Sequence, residues 1–161
     1  MRDQAFLFDL DGTLVDSVYQ HVLASQEALD HAGIAVSVWR IHRRIATSGY
    51  QETAGPVLAR LEVPAEAPVV TRNAVEHAKP DPDLFLAAAA RLGVDIAQAM
   101  VIGDSVWDML AARRARALGV GLLSGRYGQE ELERAGAYRV YEDPADLLRH
   151  LDEVGIRVPN R

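Results

Sequence analysis

The sequence predicts an α/β protein: a doubly wound, Rossmann-like parallel sheet with helices on both faces, plus a short helical cap remnant after the first strand. Three observations predict it. Short continuous apolar runs, such as Phe6-Leu7-Phe8 and Met100-Val101-Ile102, read as strands buried on both faces. They alternate with longer stretches of helical spacing. Gly93, Gly119 and Gly136 each fall where a helix should stop before the next strand. At 161 residues and 49% apolar content, the chain suffices for one domain with a proper core.

The first strand is expected over 4–9, ended by the bend that Gly12 permits. Residues 17–32 read as an amphipathic helix, with Val18, Val22 and Leu29 on one side and Asp16 or Ser17 as cap. Ser37 caps a second, over 38–44, with Val38, Ile41 and Ile45 in line. A strand at 45–47, a helix at 52–61 and a strand at 68–71 follow. Asp81 or Pro82 opens a helix ending at Leu92. Strands at 99–103, 119–123 and 138–141 then alternate with helices at 106–117, 128–135 and 144–154. Residues 1–16 and 45–161 thus form the Rossmann-like core, and 17–44 a reduced cap. That αα-hairpin is too small to bury both its apolar faces. The strand at 45–47 is short for a central position, because only Ile45 and Ala46 precede Thr47 and Arg43 and Arg44 stand where apolar residues belong. Sequence is therefore expected to have been lost between about Trp39 and Ala46. The other reading is a naturally small cap whose 17–32 helix is the crossover between two strands.

Asp9 and Asp11 stand where the first strand gives way to the Gly12 turn, the edge at which open α/β sheets hold ligands. Beyond the regular pleat, both are able to turn into one crevice. Two carboxylates there either shift each other's pKa or hold a hard cation. Lys79 is the single lysine among 17 basic residues. An ammonium is a compact point charge and a guanidinium a wide planar fork. The exception fits a position near carboxylates and a phosphate, where arginine will not serve. Pro80 and Pro82 stiffen its loop. In Met100 to Asp108 a strand again runs into Gly and Asp: Asp104 follows the strand, and Asp108 lies one turn into the next helix on the same side. Asp104 and Ser105 compete for that helix's cap.

With these motifs the chain resembles the haloacid dehalogenase superfamily, in its phosphatase and phosphoglycolate-phosphatase-like branch. The resemblance covers Ala5 to Ser17 and nearly everything from Ile45 to about Leu151. It rests on DLDGTLVDS beginning at Asp9, KPDPD beginning at Lys79 and GDSVWD beginning at Gly103. The family's second motif, a strand ending in Ser or Thr, is similar to Ile45-Ala46-Thr47-Ser48-Gly49; Thr71 is the rival position, and Thr47 is preferred. The resemblance implies a Mg²⁺-dependent phosphomonoester hydrolase acting on small phosphorylated metabolites through an aspartyl-phosphate. Asp9 is then the nucleophile, and Asp11 the general acid and afterwards the base. Mg²⁺ falls to Asp9, the backbone carbonyl of Asp11, and Asp104. Lys79 and the Thr47 hydroxyl clamp the phosphate, with Gly12, Thr13 and Ser48 beside it. Asp108 orients Lys79 or a metal-bound water, supported by Ser105. Such an array matches the charge that a phosphoryl transition state spreads over its equatorial oxygens. Dehalogenation is disfavoured, because the resemblance implies that dehalogenases lack the second aspartate.

Composition sets limits. A net charge of −6 argues against a nucleic-acid surface, and Arg113, Arg114 and Arg116 read as a solvated helix face. The absence of cysteine excludes disulfides and thiolate metal sites. The five histidines show no ligand spacing. No stretch approaches a membrane span and no signal-peptide core is seen, so a cytoplasmic location is expected. The expected partner is a small phosphorylated metabolite, with neither nucleic acid nor membrane. The apolar stripe of the cap helix is expected to dock over the crevice or to form a homodimer with its copy in a second chain. Three other readings use similar parts. A phosphosugar mutase shares the aspartyl-phosphate but must shield it from water, which a short cap does poorly. A catalytically weak remnant that binds phosphate or a protein partner would be expected to have lost at least one of Asp9, Asp11, Lys79 and Asp104. A receiver domain has no use for Asp11-Gly12-Thr13.

Overall fold

The computed structural model describes residues 5–15 and 69–155. The expected cap at 17–44 and the elements expected between 45 and 68 lie outside the described residues. Among the described residues four parallel strands form one sheet: β1 (Ala5–Phe8), β2 (Ala99–Gly103), β3 (Leu118–Leu122) and β4 (Ala137–Tyr141), in that spatial order. Helices α1 (Asp83–Leu92), α2 (Val106–Ala115), α3 (Gln129–Ala135) and α4 (Pro144–Arg149) accompany them.

Every residue of β2 is buried, as its unbroken apolar run requires. Alternate side chains leave opposite faces of the sheet. Leu7, Ala99 and Val101 meet Phe85 and Ala89 of α1 and Ala111 and Ala112 of α2. Met100, Ile102, Val120 and Leu122 pack instead with Tyr141, Leu147 and Val154. Helices therefore cover both faces, which is the doubly wound arrangement. Gly119 and Gly121 let α2 and α3 close onto β3: an added Cβ would stand 3.0 Å from Met109 Sδ and 3.1 Å from Leu132 Cδ1.

Three local expectations are corrected. Val69–Thr71 is not a strand but an irregular stretch leading into a 3₁₀ turn at Arg72–Ala74, with Val69 exposed. The second helix after the lysine loop stops at Ala115, where Arg116 takes the left-handed conformation (φ 63°) expected of glycine. Gly119 is needed inside β3 for packing, so the cap falls earlier. Gly93 (φ 67°) and Gly136 (φ 119°) do end their helices. The last expected helix breaks at His150 into α4 and a 3₁₀ turn, Leu151–Val154.

Strand register positions the functional edge. Phe8 pairs with Ile102, and Asp9 N–H donates to Ile102 O at 2.8 Å, carrying the ladder one residue past β1. The C-terminal ends of β1 and β2 are therefore neighbours, and the chain leaves both as aspartate.

Candidate active site

At that edge Asp9, Asp104 and Asp108 bring one carboxylate oxygen each within 4.8 Å of one another. Asp104 and Asp108 are buried and Asp9 is largely so. Asp9 is held by the β1 ladder. Asp108 is placed by the start of α2: Ser105 is its N-cap, and the pair forms a capping box in which Ser105 N–H and Oγ donate to Asp108 Oδ2 at 3.0 and 2.6 Å. The cap is therefore Ser105, leaving Asp104 to point into the cluster.

The Lys79 side chain, 6% exposed, enters between two of these carboxylates. Its ammonium donates to Asp9 Oδ1 and lies 2.6 Å from Asp108 Oδ1, the latter an ion pair rather than an aligned hydrogen bond. Phe85 of α1 presents its ring 5.4 Å from Nζ. Several contacts hold the loop that carries the lysine. His77 N–H donates to Asp83 Oδ2 at 3.0 Å, and Arg72 Nη1 donates to Val75 O at 2.7 Å. Arg114 Nη1 donates to Pro80 O at 3.0 Å. The arginines of α2 are exposed, as a solvated face requires, yet Arg114 also braces the lysine loop.

Charge balance decides the electrostatics. Burial pushes Asp9 up to about 6, opposed by Lys79 and reinforced by Asp108. Burial alone would lower Lys79, but Asp108 and Asp9 outweigh it and hold the ammonium above its ordinary value. Asp104 is pushed up to about 8, by burial first and then by the charges of Asp108 and Asp9, against the hydrogen bond from Thr13. One ammonium thus faces three carboxylates. Asp104 has no ion pair among the described residues.

Thr13, 4% exposed, donates from Oγ1 to Asp104 Oδ1 at 2.9 Å, which commits its hydroxyl hydrogen to that carboxylate. Gly12, with φ 85°, turns the chain, and its N–H donates to Val15 O at 2.7 Å. Asp11 is half-buried in this turn. Thr47 and Ser48 lie outside the described residues. Thr71 is the N-cap of the Arg72–Ala74 turn. Two glycines border the cluster, Gly103 at the start of the GDSVWD motif and Gly125, which the sequence motifs do not single out. A Cβ on Gly103 would stand 2.5 Å from Asp108 Cβ and Cγ, and one on Gly125 would stand 1.8 Å from Asp104 Oδ2. Gly125 follows β3 at the same edge of the sheet as Asp9 and Asp104, the one sequence signal that could have pointed to it.

The donor set fits a divalent cation. Hard oxygen ligands converge in a buried cluster where three carboxylates meet one ammonium among the described residues, and burial together with the charges of Asp108 and Asp9 raises Asp104. Asp9 and Asp104 are the carboxylates best placed for this, since Asp108 is committed to Ser105 and Lys79.

The sequence profile of the haloacid dehalogenase-like hydrolases matches residues 35–116, half of the chain. The chain belongs to the haloacid dehalogenase-like hydrolases. A solved hydrolase from Pseudomonas syringae is 42% identical, with a TM-score of 0.91 over 96% of this chain and 100% of that one. Among curated relatives of this haloacid dehalogenase-like hydrolase, phosphoglycolate phosphatase from Rhodospirillum rubrum is 33% identical over 81% of this chain and 52% of its own length. Phosphoglycolate phosphatase from Caulobacter vibrioides is 44% identical over 49% of this chain and 33% of its own. The chain spans about half or less of the length of the curated relatives it matches. Among the described residues, no helix is long and apolar enough to cross a membrane.

Proposed function

We propose that this haloacid dehalogenase-like hydrolase is a Mg²⁺-dependent phosphatase of small phosphorylated metabolites that works through an aspartyl-phosphate on Asp9. The observation that carries the reading is the meeting of Asp9, Lys79, Asp104 and Asp108 at the ends of β1 and β2, in a family with phosphatase-named relatives. An Asp9 oxygen attacks phosphorus, forming the carboxylate–phosphorus bond as the ester P–O bond breaks. Asp11 gives its proton to the departing alkoxide oxygen. The resulting Asp11 carboxylate then takes a proton from water, whose oxygen attacks phosphorus and releases Asp9 and inorganic phosphate. Lys79 holds phosphate oxygens and the nucleophile in register, and Asp108 orients Lys79. Thr47 supplies a hydroxyl to the phosphate. Asp9, the Asp11 carbonyl and Asp104 would hold Mg²⁺, which would supply neutralisation of charge on the phosphoryl oxygens.

The test is Mg²⁺-dependent phosphate release across a panel of small phosphomonoesters, with Asp9→Asn as control. Turnover by the wild type and none by Asp9→Asn is expected. Substantial Mg²⁺-dependent activity in Asp9→Asn would refute the covalent mechanism.

A further inference from the structure

Gly125 closes the 3₁₀ turn Leu123–Gly125 after β3 and is buried against the Asp104 carboxylate. A Cβ there would stand 1.8 Å from Asp104 Oδ2, 2.6 Å from its Cγ and 2.7 Å from its Cβ. Non-bonded carbon contacts settle near 3.5–4.0 Å, so no side chain fits while Asp104 keeps its place. Backbone freedom is not the reason for glycine. Gly125 is absent from the positive-φ residues, and alanine adopts its conformation without strain. The requirement is steric and comes from Asp104. The other oxygen of that carboxylate is fixed by Thr13 Oγ1 at 2.9 Å. The carboxylate is therefore seated between a hydroxyl on one oxygen and a bare backbone on the other. Pushing it off Gly125 moves both oxygens and gives up the Thr13 bond.

We propose that Gly125 is a positioning residue that seats the Asp104 carboxylate in the acidic cluster and thereby sets the affinity for a divalent cation. The inference rests on the reading of Asp9 and Asp104 as cation ligands. Partners that orient a metal ligand typically carry about 10–100-fold in metal affinity, which is the expected size of the effect of Gly125→Ala.

Two measurements test it. In chelator, unfolding free energies of the wild type, Gly125→Ala, Asp104→Ala and the double variant form a cycle. The cost of Gly125→Ala should largely disappear once Asp104 is alanine. If Gly125→Ala fails to fold alone, recovery of folding in the double variant gives the same answer. Mn²⁺ titration followed by electron paramagnetic resonance should then show weaker binding by Gly125→Ala and no change in Gly128→Ala. In that control the nearest atom, Glu131 Oε2, lies at an ordinary 3.6 Å. Wild-type Mn²⁺ affinity in Gly125→Ala, or a cost that persists without the Asp104 carboxylate, would overturn the proposal. A wild type that binds no Mn²⁺ would instead refute the cation reading, while the cycle would still decide whether Gly125 seats Asp104.

Discussion

Replacing Lys79 by alanine should destabilise the metal-free protein by about 3–5 kcal/mol near pH 7.5, because it strips two buried carboxylates of their shared cation. The ammonium meets Asp9 Oδ1 and lies 2.6 Å from Asp108 Oδ1, with 12% and 1% of those side chains exposed. Contact with the Phe85 ring at 5.4 Å adds about 0.5–1 kcal/mol to what is lost. Against a total stability of about 5–15 kcal/mol, such a loss is plain in urea titrations. Lys79→Arg should cost nearly as much and lose activity as Lys79→Ala does, since a planar fork cannot take the place of a compact ammonium between two carboxylates. Two internal controls separate charge from packing. Asp108→Asn in the Lys79→Ala background removes one stranded charge and should recover part of the loss. Lowering the pH to about 5, below the value of about 6 for Asp9, protonates that carboxylate and should shrink the cost of Lys79→Ala. A loss below about 1 kcal/mol at neutral pH, or one equal at both pH values, would refute the reasoning.

Asp11→Asn should retain Mn²⁺ binding, since its proposed metal contact is through the backbone, while phosphatase turnover falls about 10²–10⁴-fold in steady-state assays. Metal-free stability should fall as pH rises. Asp9 and Asp104 hold protons up to about 6 and about 8 in the folded chain, against 3.8 for an ordinary exposed aspartate, so their contribution is complete below about pH 4 and lost by about pH 8. Denaturation at about pH 5 and pH 8 checks this slope, and Mg²⁺ should raise stability more at the higher pH; a metal-free stability that climbs over this window would contradict it. Thr13→Val removes the donor to Asp104 and should cost about 1 kcal/mol of stability while weakening Mn²⁺ binding. Unchanged Mn²⁺ affinity in that variant would show that the Thr13 bond does not orient Asp104.

The parts of the fold legible in the sequence are those set by local pattern. Met100-Val101-Ile102 is a strand buried on both faces, as its unbroken apolar run requires, whereas Phe6-Leu7-Phe8 is a strand in which only Leu7 is buried and Phe8 is exposed, contrary to the burial its apolar run predicts. Ser105 caps α2 because its hydroxyl reaches Asp108 N–H within one turn. Asp9, Lys79, Asp104 and Asp108 were visible as residue types at strand edges and in a stiff loop, and the structure brings them together. What was illegible depends on contacts distant in sequence. Val69 and Val70 carry strand propensity, yet Thr71 leads into a 3₁₀ turn. Gly119 looks like a helix stop until Met109 is seen packed over it. Arg114 looks solvated until Pro80, 34 residues earlier, is placed against it. Thr13 looks like part of a phosphate loop, but its hydroxyl reaches Asp104, 91 residues away.

One helix explains why the lysine has a defined position although its loop runs over the surface. The first turn of α2 supplies Asp108 to the ammonium, and the same helix supplies Arg114 to the carbonyl of Pro80 next door. Six residues separate them, about 9 Å along the axis, so the loop is held at two points by a single rigid element. The placement of α2 is in turn set by the sheet. Ala111 and Ala112 pack on Val101, Met109 lies over Gly119, and Gly103 leaves room for Asp108 itself. Larger residues at these points would push the helix outward and carry Asp108 with it. Small side chains in the core thus do more than fill space. They bring α2 close enough for its carboxylate to meet a lysine that enters from a separate loop, within reach of the aspartates at the ends of β1 and β2.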